Sequence, residues 1–209
     1  QARFEMTDDE ILASIFNPRD PFSHKGTHGH ALILAGGYGK MGAAQLCAKS
    51  CLRSGAGLVT CHVPKSGYEI MQTAVPEAMV STDFNTSFLT NFEGDLLKYD
   101  ALGIGPGIGT AKETRQFLRK IFKEHKGPMV LDADALNIIA MEESLISSIP
   151  KGSILTPHPG EFRRLFGEKK NDFELIDLAM ERANSLNQII VLKGHHTLIA
   201  IPGRIPLFN

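Results

Sequence analysis

The chain has 209 residues, a net charge of −1, 43% hydrophobic residues and 22% charged residues. These values are typical of one large globular domain with an ordinary hydrophobic core. A charge so close to zero gives no broad positive field for a phosphate backbone, so we expect no nucleic-acid partner. The apolar runs fall short of the roughly 18–20 residues that cross a bilayer, so we expect no membrane association.

Three cysteines, Cys47, Cys51 and Cys61, form neither a C-x-x-C pair nor an even set. The odd count, together with the lack of a signal-peptide pattern, predicts a reducing, cytoplasmic location. Cys47 and Cys51 are four residues apart and therefore share one face of a helix. We predict that they fill the core as small apolar side chains.

Residues 1–30 differ from the rest of the chain. They are polar, they carry Pro18 and Pro21, and only Glu10–Phe16 predicts a short helix. We expect this segment to be an arm or linker that leads into a domain spanning residues 31–209.

Strands and helices alternate from residue 31 onward. Short, continuous apolar runs predict strands at Ala31–Ala35, Leu58–Val63, Ala101–Ile104, Met129–Leu131, Ser153–Leu155, Ile189–Leu192 and Leu198–Ile201. Helical spacing of apolar residues predicts helices at Ala43–Ser54, Lys112–His125 and Asp172–Leu186. Continuous apolarity is typical of strands covered on both faces, so the pattern predicts an α/β fold: a doubly wound, mostly parallel sheet with helices on both faces. The last two runs predict a hairpin at the sheet edge.

The first glycine loop, A-G-G-Y-G-K-M-G at residues 35–42, follows the first predicted strand of the sheet. Residues 37–42 satisfy G-x-G-x-x-G, but the second strand ends in C-H-V-P without the carboxylate that a Rossmann fold uses for the ribose. Lys40 is followed by Met41, so the Walker pattern also fails. The loop predicts either a ligand contact through backbone N–H groups or a tight turn.

The second glycine loop, L-G-I-G-P-G-I-G-T at residues 102–110, contains four alternating glycines. Such a segment is costly in conformational entropy, and its usual reason is a close approach to the backbone. We expect Thr110 to cap a helix that begins at Ala111 and to aim free N–H groups at the loop. A plain turn is the alternative.

Charged side chains follow three further strands. Asp132 and Asp134 come after a buried strand and are suited to orienting a substrate or hydrated Mg²⁺, although Asp134 alternatively only caps a helix from Ala135. His158 lies between two prolines at a strand end, ahead of a helix that Glu161 opens, which favours a ligand contact. Lys193 lies at the next strand end and suits a nucleotide phosphate, with a solvated hairpin lysine as the alternative.

Two other kinds of site are not expected. His28-Gly29-His30 lacks a third ligand at a useful spacing, so we predict no structural metal site. The chain has neither a Ser-His-Asp order nor a G-x-S-x-G elbow, which argues against hydrolase chemistry.

Taken together and in this order, seven motifs resemble the ADP/ATP-dependent NAD(P)H-hydrate dehydratases, from about residue 18 to the end. The motifs are H-K-G-T-H-G (24–29), G-A-A (42–44), R-S-G-A-G (53–57), G-I-G-P-G (103–107), D-A-D-A-L-N (132–137), T-P-H-P-G-E (156–161) and L-K-G (192–194). The combination of T-P-H-P-G-E with G-I-G-P-G is more specific than any single glycine loop.

The resemblance implies a ribokinase-like fold and a metabolite-repair reaction. Members of the family dehydrate the S epimer of hydrated NADH or NADPH (NADHX or NADPHX) at the expense of ADP or ATP, with Mg²⁺ assisting. Carried over by position, the resemblance implies that the dinucleotide is held by Ala43, Gly107 and His158. It implies that the adenine nucleotide is bound by Lys193, Gly194, His195, His196 and Thr197. Residues expected to orient substrate or Mg²⁺ are Asp132, Asn137 and Glu161. Similar proteins often form homotetramers, and some follow an epimerase domain.

The sequence departs from the family pattern at its end. The family continues into N-x-x-G-N-P-G and G-G-S-G-D, whose glycines bind the transferring phosphoryl group and whose aspartate is the expected base. This chain stops at Leu207-Phe208-Asn209. The chain is therefore either a fragment truncated at its C-terminus or a protein that has lost its chemistry. We favour a fragment, with its catalytic aspartate beyond Asn209, because the first residues also resemble the end of a linker. Alone, it is expected to dehydrate NADHX slowly or not at all.

Three alternative functions remain. A small-molecule kinase of the same superfamily, acting on a thiazole or pyrimidine alcohol, would use the same glycine loops and Lys193, although T-P-H-P-G-E argues against it. A non-catalytic nucleotide-binding or assembly module is the second alternative. A Rossmann oxidoreductase is third, because the second strand lacks its carboxylate.

Overall fold

A computed structural model of the chain describes residues 3–209. The strands are β1 (Glu5–Met6), β2 (His30–Leu34), β3 (Leu58–Val63), β4 (Met79–Thr82), β5 (Ala101–Ile104), β6 (Met129–Leu131), β7 (Ile154–Leu155), β8 (Ile189–Leu192), β9 (Leu198–Ala200) and β10 (Leu207–Phe208). The helices of seven residues or more are α1 (Asp9–Ile15), α2 (Met41–Arg53), α3 (Tyr68–Ala74), α4 (Lys112–Glu124), α5 (Asp134–Met141), α6 (Pro159–Phe166) and α7 (Asp172–Leu186).

All ten strands form one sheet, in the order β1-β10-β9-β8-β7-β6-β5-β2-β3-β4. Only β9 runs antiparallel to its neighbours, which are β8 and β10; every other adjacent pair is parallel. The predicted mostly parallel sheet and the predicted β8–β9 hairpin are both confirmed. The expected position of the hairpin at the sheet edge is wrong, because β10 pairs with the outer side of β9 and β1 pairs with β10. The carboxyl ends of β2, β5, β6, β7 and β8 therefore lie side by side along one edge.

The N-terminal arm contains the predicted short helix as α1, within one residue of the expected bounds. The arm also contributes β1, which sequence analysis did not predict and which pairs with β10 through Glu5–Leu207 and Met6–Phe208. The expected division between arm and domain at residue 30 stays a prediction.

Helices lie on both faces of the sheet, as predicted. Helices α4 to α7 cover one face, where the largest buried cluster includes Leu34, Ile104, Leu118 and Leu131. Helices α2 and α3 cover the other face over β2 to β4. Cys61 is completely buried there. Cys47 and Cys51, which were predicted to fill the core, pack against this cluster but are only partly buried, because they also border the open part of this face.

The second face is open over β5 to β9, so the expectation that every strand is covered on both sides is wrong for this part. On these strands burial alternates: Leu102 and Ile104 are buried, whereas Ala101 on the open face is exposed and Val130 is 40% exposed. A groove of about 280 Å³ lies on this face between α2 and the strands β5 and β6. Within residues 3–209, no helix has the length and apolarity needed to span a membrane.

Candidate active site

Five chain segments that sequence analysis singled out follow five neighbouring parallel strands. The two glycine loops follow β2 and β5, the aspartates follow β6, the T-P-H-P-G-E segment follows β7, and Lys193 follows β8. The sheet therefore brings all of them to one carboxyl edge, as predicted from their positions after strands.

The two glycine loops touch each other backbone to backbone. The Gly36 N–H donates to the Pro106 carbonyl at 2.8 Å. A Cβ on Gly37 would lie 2.7 Å from the Gly107 oxygen, and a Cβ on Gly107 would lie 3.1 Å from the Cβ of Ala43. Ala43 and Gly107, which were predicted to hold the same ligand, are thus neighbours.

Gly105 has a neighbour that the sequence did not reveal. Its φ is +133°, and a Cβ there would lie 1.8 Å from the main-chain oxygen of Asp132. The second loop was expected to allow a close approach to its backbone. At Gly105 the group that approaches is the main chain at the end of the neighbouring strand β6. Gly109, with φ +74°, has open space around its Cβ position instead.

Lys193 and Asp132 form an ion pair across the end of β7. The Lys193 Nζ donates to Asp132 Oδ1 at 2.6 Å, and the two side chains are 43% and 31% exposed. Sequence analysis assigned both to ligand binding but could not show that they meet. Both charged groups remain partly accessible to solvent at the carboxyl edge of the sheet.

Asp134 does not cap helix α5, so that alternative is wrong. The residue before the helix, Ala133, makes no side-chain cap bond, and Asp134 Oδ2 instead accepts from the Gly109 N–H at 2.8 Å. The expected Thr110 cap is also wrong, because α4 begins at Lys112 and Ala111 precedes it without a side-chain cap bond. Neither helix therefore has a side-chain N-cap, and Asp134 is held by the second glycine loop instead.

Asp134 also connects the site to Asn137 and Arg164. The Asn137 Nδ2 donates to Asp134 Oδ1 at 3.3 Å, and the Arg164 Nε donates to Asn137 Oδ1 at 3.1 Å. The Lys40 Nζ lies 3.8 Å from Asp134 Oδ2. Asn137, which was predicted to orient substrate, is therefore held from both sides at the start of α5.

His158 and Glu161 form a capping box at the start of α6. His158 Nδ1 accepts from the Gly160 N–H at 2.9 Å, and Glu161 Oε2 accepts from the His158 N–H at 2.9 Å. The His158 side chain is 49% exposed, whereas Glu161 is buried, with its Oε1 3.3 Å from His158 Nε2. Glu161 therefore helps to orient the imidazole. The three-residue spacing between the N-cap residue and the glutamate is typical of a capping box and could be recognised in the sequence.

The loop at residues 193–197 joins β8 and β9 and flanks a groove. The Lys193 N–H donates to the Pro157 carbonyl at 2.9 Å, and the rings of His195 and His196 pack edge to face at 4.6 Å. The groove beside the loop has a volume of about 370 Å³. Its apolar walls come from Leu175, Ile176, Leu192, Leu198 and Phe208.

Sequence analysis missed the loop of residues 83–92, which supports the first glycine loop. The Ser87 carbonyl accepts from the Tyr38 N–H at 2.8 Å. The loop is organised by Asp83, whose carboxylate accepts from the N–H groups of Asn85 and Asn91 and from the Thr90 N–H and hydroxyl. Burial alone would raise the pKa of Asp83, but these hydrogen bonds outweigh it and lower the pKa.

His62 lies beneath that loop, 2% exposed. Its Nε2 is 2.7 Å from the Asn91 carbonyl and must carry the proton, because a carbonyl only accepts. Its Nδ1 is 3.1 Å from the Ser81 hydroxyl. Burial lowers the pKa of His62, although the Asn91 carbonyl and Asp83 act in the opposite direction.

The two histidines of the H-G-H motif, for which no metal site was expected, have separate hydrogen-bond partners. His28 contacts Ser23, and His30 contacts Thr60.

The sheet and the row of glycine and charged loops at its edge first define the class of protein: an α/β protein with a ribokinase-like fold. A ribokinase-like superfamily protein from Enterococcus faecalis matches 99% of this chain and 72% of its own, with a TM-score of 0.84 at 24% identity, which concerns the fold alone.

The sequence profile of the NAD(P)H-hydrate dehydratase family matches residues 31–207, and the chain belongs to that family. The ADP/ATP-dependent NAD(P)H-hydrate dehydratase of Bacillus subtilis, co-crystallised with ATP and Mg²⁺, matches 99% of this chain and 72% of its own, at 30% identity and a TM-score of 0.79. The bifunctional NAD(P)H-hydrate repair enzyme of Vibrio cholerae is 37% identical over 194 residues, which cover 92% of this chain. The chain spans 36–38% of the length of the first such bifunctional relatives.

Proposed function

We propose that this chain binds the S epimer of hydrated NADH or NADPH together with ADP or ATP and Mg²⁺, and that its site serves the dehydration that restores the reduced dinucleotide. One observation carries the proposal: two different ligand-binding arrangements meet at one sheet edge. The second glycine loop at Gly107 and the first turn of α2 at Ala43 offer exposed backbone to one ligand, and the Lys193–Asp132 pair offers charge to another.

The dinucleotide is assigned to the half of the site formed by Ala43, Gly107 and His158. A Cβ on Gly107 would lie only 3.1 Å from the Cβ of Ala43, so the backbone of the second glycine loop packs closely against the first turn of α2. Small residues at both positions suit close packing of a nucleotide against main chain. His158 is half-exposed, and its ring orientation is fixed by Gly160 and Glu161. An imidazole held in this way gives a ligand a contact of defined geometry.

The adenine nucleotide is assigned to the half formed by Lys193, Gly194, His195, His196 and Thr197. The apolar groove of about 370 Å³ beside this loop suits a purine base, and Lys193 suits the phosphates. Asp132 would hold Mg²⁺, because its carboxylate is accessible and Mg²⁺ is usually bound through one or two carboxylates together with phosphate oxygens. When bound, Mg²⁺ neutralises charge that develops on the transferring phosphoryl group.

The reaction requires both ligands at the same edge. The hydroxyl oxygen of the hydrated nicotinamide ring forms a bond to the terminal phosphorus, its proton leaves to a base, and AMP or ADP departs. The ring carbon–oxygen bond then breaks, inorganic phosphate leaves with the bonding pair, and loss of a neighbouring C–H proton restores the ring double bond. Positioning and electrostatics supply most of the catalysis in such transfers, which is the contribution that fixed loops and Lys193 make.

The proposal is tested by calorimetric titration of the chain with NADPH and with Mg·ADP, each alone and in the presence of the other. We expect two independent sites, so that saturation with Mg·ADP leaves NADPH binding intact. Recovery of absorbance at 340 nm from NADHX and ATP then reports turnover. Competition between NADPH and Mg·ADP for one site, or binding of hydroxyethylthiazole in place of NADPH, would contradict the proposal and favour a small-molecule kinase.

We further propose a cytoplasmic homotetramer that works with an NAD(P)HX epimerase. Support for the epimerase comes from the V. cholerae relative, which is named as a bifunctional repair enzyme. Support for a reducing compartment comes from the odd number of cysteines, all three of which are free thiols. Light scattering at known concentration tests the tetramer, and a monomeric mass would refute it.

A further inference from the structure

Ala133, between the two aspartates, has an unusual backbone conformation. Its φ is +50° and its ψ is −118°, which lies outside the left-handed helical region. In residues 3–209, the other non-glycine residue with positive φ is Asn187, whose angles of 52° and 49° fit a helix end. Strain of this kind persists only where the surroundings impose it, and it concentrates at functional sites.

The consequence of the Ala133 conformation is that consecutive carboxylates serve different halves of the site. Asp132 is directed to Lys193, on the proposed adenine-nucleotide side. Asp134 is directed to the Gly109 N–H of the second glycine loop, on the proposed dinucleotide side. If the backbone continued in extended conformation through Ala133, the side chains of residues 132 and 134 would point to the same side.

Asp134 holds two groups that otherwise have freedom to move. Gly109 has φ +74° with open space beside it, and its N–H bond to Asp134 ties it to the start of α5. The Asn137 amide is oriented by Asp134 on one side and by Arg164 on the other. Since these two bonds use one N–H and one lone pair, Asn137 keeps a second N–H for a ligand.

Asn137 and Asp134 line an open pocket of about 480 Å³ together with Thr110 and Arg164. The Asp134 side chain is 20% exposed, and the positive charge of Lys40 lies 3.8 Å from it. The Asp134 carboxylate is engaged by the Gly109 N–H and the Asn137 amide, and Asn137 and Arg164 line the pocket beside it. This arrangement suits a residue that acts through its neighbours.

We propose that Asp134 is a positioning residue for the hydrated dinucleotide: it fixes the second glycine loop through Gly109 and aims the free N–H of Asn137 at an acceptor oxygen of that ligand. Asp132 is its counterpart for the Mg·nucleotide, and the strained Ala133 keeps the two functions apart. This inference rests on the proposed function, because it takes the dinucleotide to be the ligand of that half.

The test compares Asp134→Asn with Asp132→Asn, two isosteric changes that each remove one charge. NADPH and Mg·ADP are titrated separately into each variant, with thermal unfolding as the measure of folding. Asp134→Asn is expected to weaken NADPH binding about tenfold and to leave Mg·ADP binding unchanged; Asp132→Asn is expected to do the reverse. A purely structural role would lower both affinities together with the melting temperature.

Ala133→Gly provides a second variant that does not depend on the stability of the aspartate variants. Glycine adopts positive φ without strain, so the melting temperature is expected to stay level or rise while NADPH binding weakens several-fold. Unchanged NADPH affinity in both Asp134→Asn and Ala133→Gly overturns this inference alone. Failure of the unaltered chain to bind NADPH overturns the proposed function, and this inference with it.

Discussion

Replacing Lys193 by alanine tests the Lys193–Asp132 ion pair and the proposed phosphate site in one experiment. The change removes the cation from Asp132, whose carboxylate is 31% exposed, and leaves the sheet itself intact. We expect a small loss of stability, because the Lys193–Asp132 ion pair is lost. We expect a larger loss of nucleotide affinity, because the proposed contact between Lys193 and the phosphate is lost as well.

The size of the stability effect follows from distance and exposure. At the observed 2.6 Å, two charges in surroundings of effective dielectric constant 20 attract by about 6 kcal/mol. Both groups are partly exposed, so solvent screening and side-chain entropy reduce the net contribution of such a pair to about 1 kcal/mol. For a domain of this size that corresponds to a fall in melting temperature of roughly 2–4 °C.

Nucleotide affinity is expected to fall more. A hydrogen bond from a charged donor to phosphate contributes about 1.5–3 kcal/mol, which corresponds to a tenfold to hundredfold weaker Kd for Mg·ADP. Titration calorimetry measures this loss, and Lys151→Ala is the matched control, since Lys151 is exposed at the amino end of β7, on the opposite edge of the sheet. Equal Mg·ADP affinities in the Lys193→Ala variant and the unaltered chain would refute the phosphate assignment.

Two further predictions concern the frame around the site. Because burial lowers the pKa of His62 below 6.5, the unfolded chain takes up a proton that the folded chain does not, and stability falls as the pH drops through 6.5. His62→Gln removes this contribution, so thermal melts should show a smaller acid-induced fall than in the unaltered chain; identical pH profiles would contradict the argument. Gly105→Ala places a Cβ 1.8 Å from the Asp132 oxygen and is expected to cost about 4 kcal/mol or more, whereas Gly109→Ala meets open space and should cost about 1 kcal/mol. Urea unfolding measures both, and similar losses in the two glycine variants would show that the loop moves to accept the clash.

The central strands were predictable because their apolar runs are continuous and bounded by glycine and proline. The elements that sequence analysis missed lack that signal. Strand β4 is the half-polar M-V-S-T run, with Met79 44% exposed, and α3 contributes one fully buried residue, Met71. Strands β1 and β10 have two residues each, and they are strands only because they hydrogen-bond to each other and, for β10, also to β9. Pairing between the two ends of a chain has no local pattern.

The positions of the site residues were predictable, but most of their contacts were not. Order along the chain placed Asp132 and Lys193 after strands, whereas their contact depends on β6 and β8 flanking β7, which only the sheet order reveals. The cap expected at Asp134 was wrong because a long-range N–H from Gly109 takes its carboxylate. Ala133 gives no warning of its positive φ, since glycine and asparagine are the residues that usually signal it.

Strand β1 is connected to the loop at residues 193–197 only through the intervening strands of the sheet. It pairs with β10, β10 pairs with β9, and β9 returns through the turn that contains Lys193. Thr7 adds hydrogen bonds to Phe208 and Asn209, and Asn209 in turn pairs with Thr197 at the end of that turn. Local unfolding of the outer edge would remove these pairings in sequence, so the packing of the β8–β9 turn depends in part on residues 5–7.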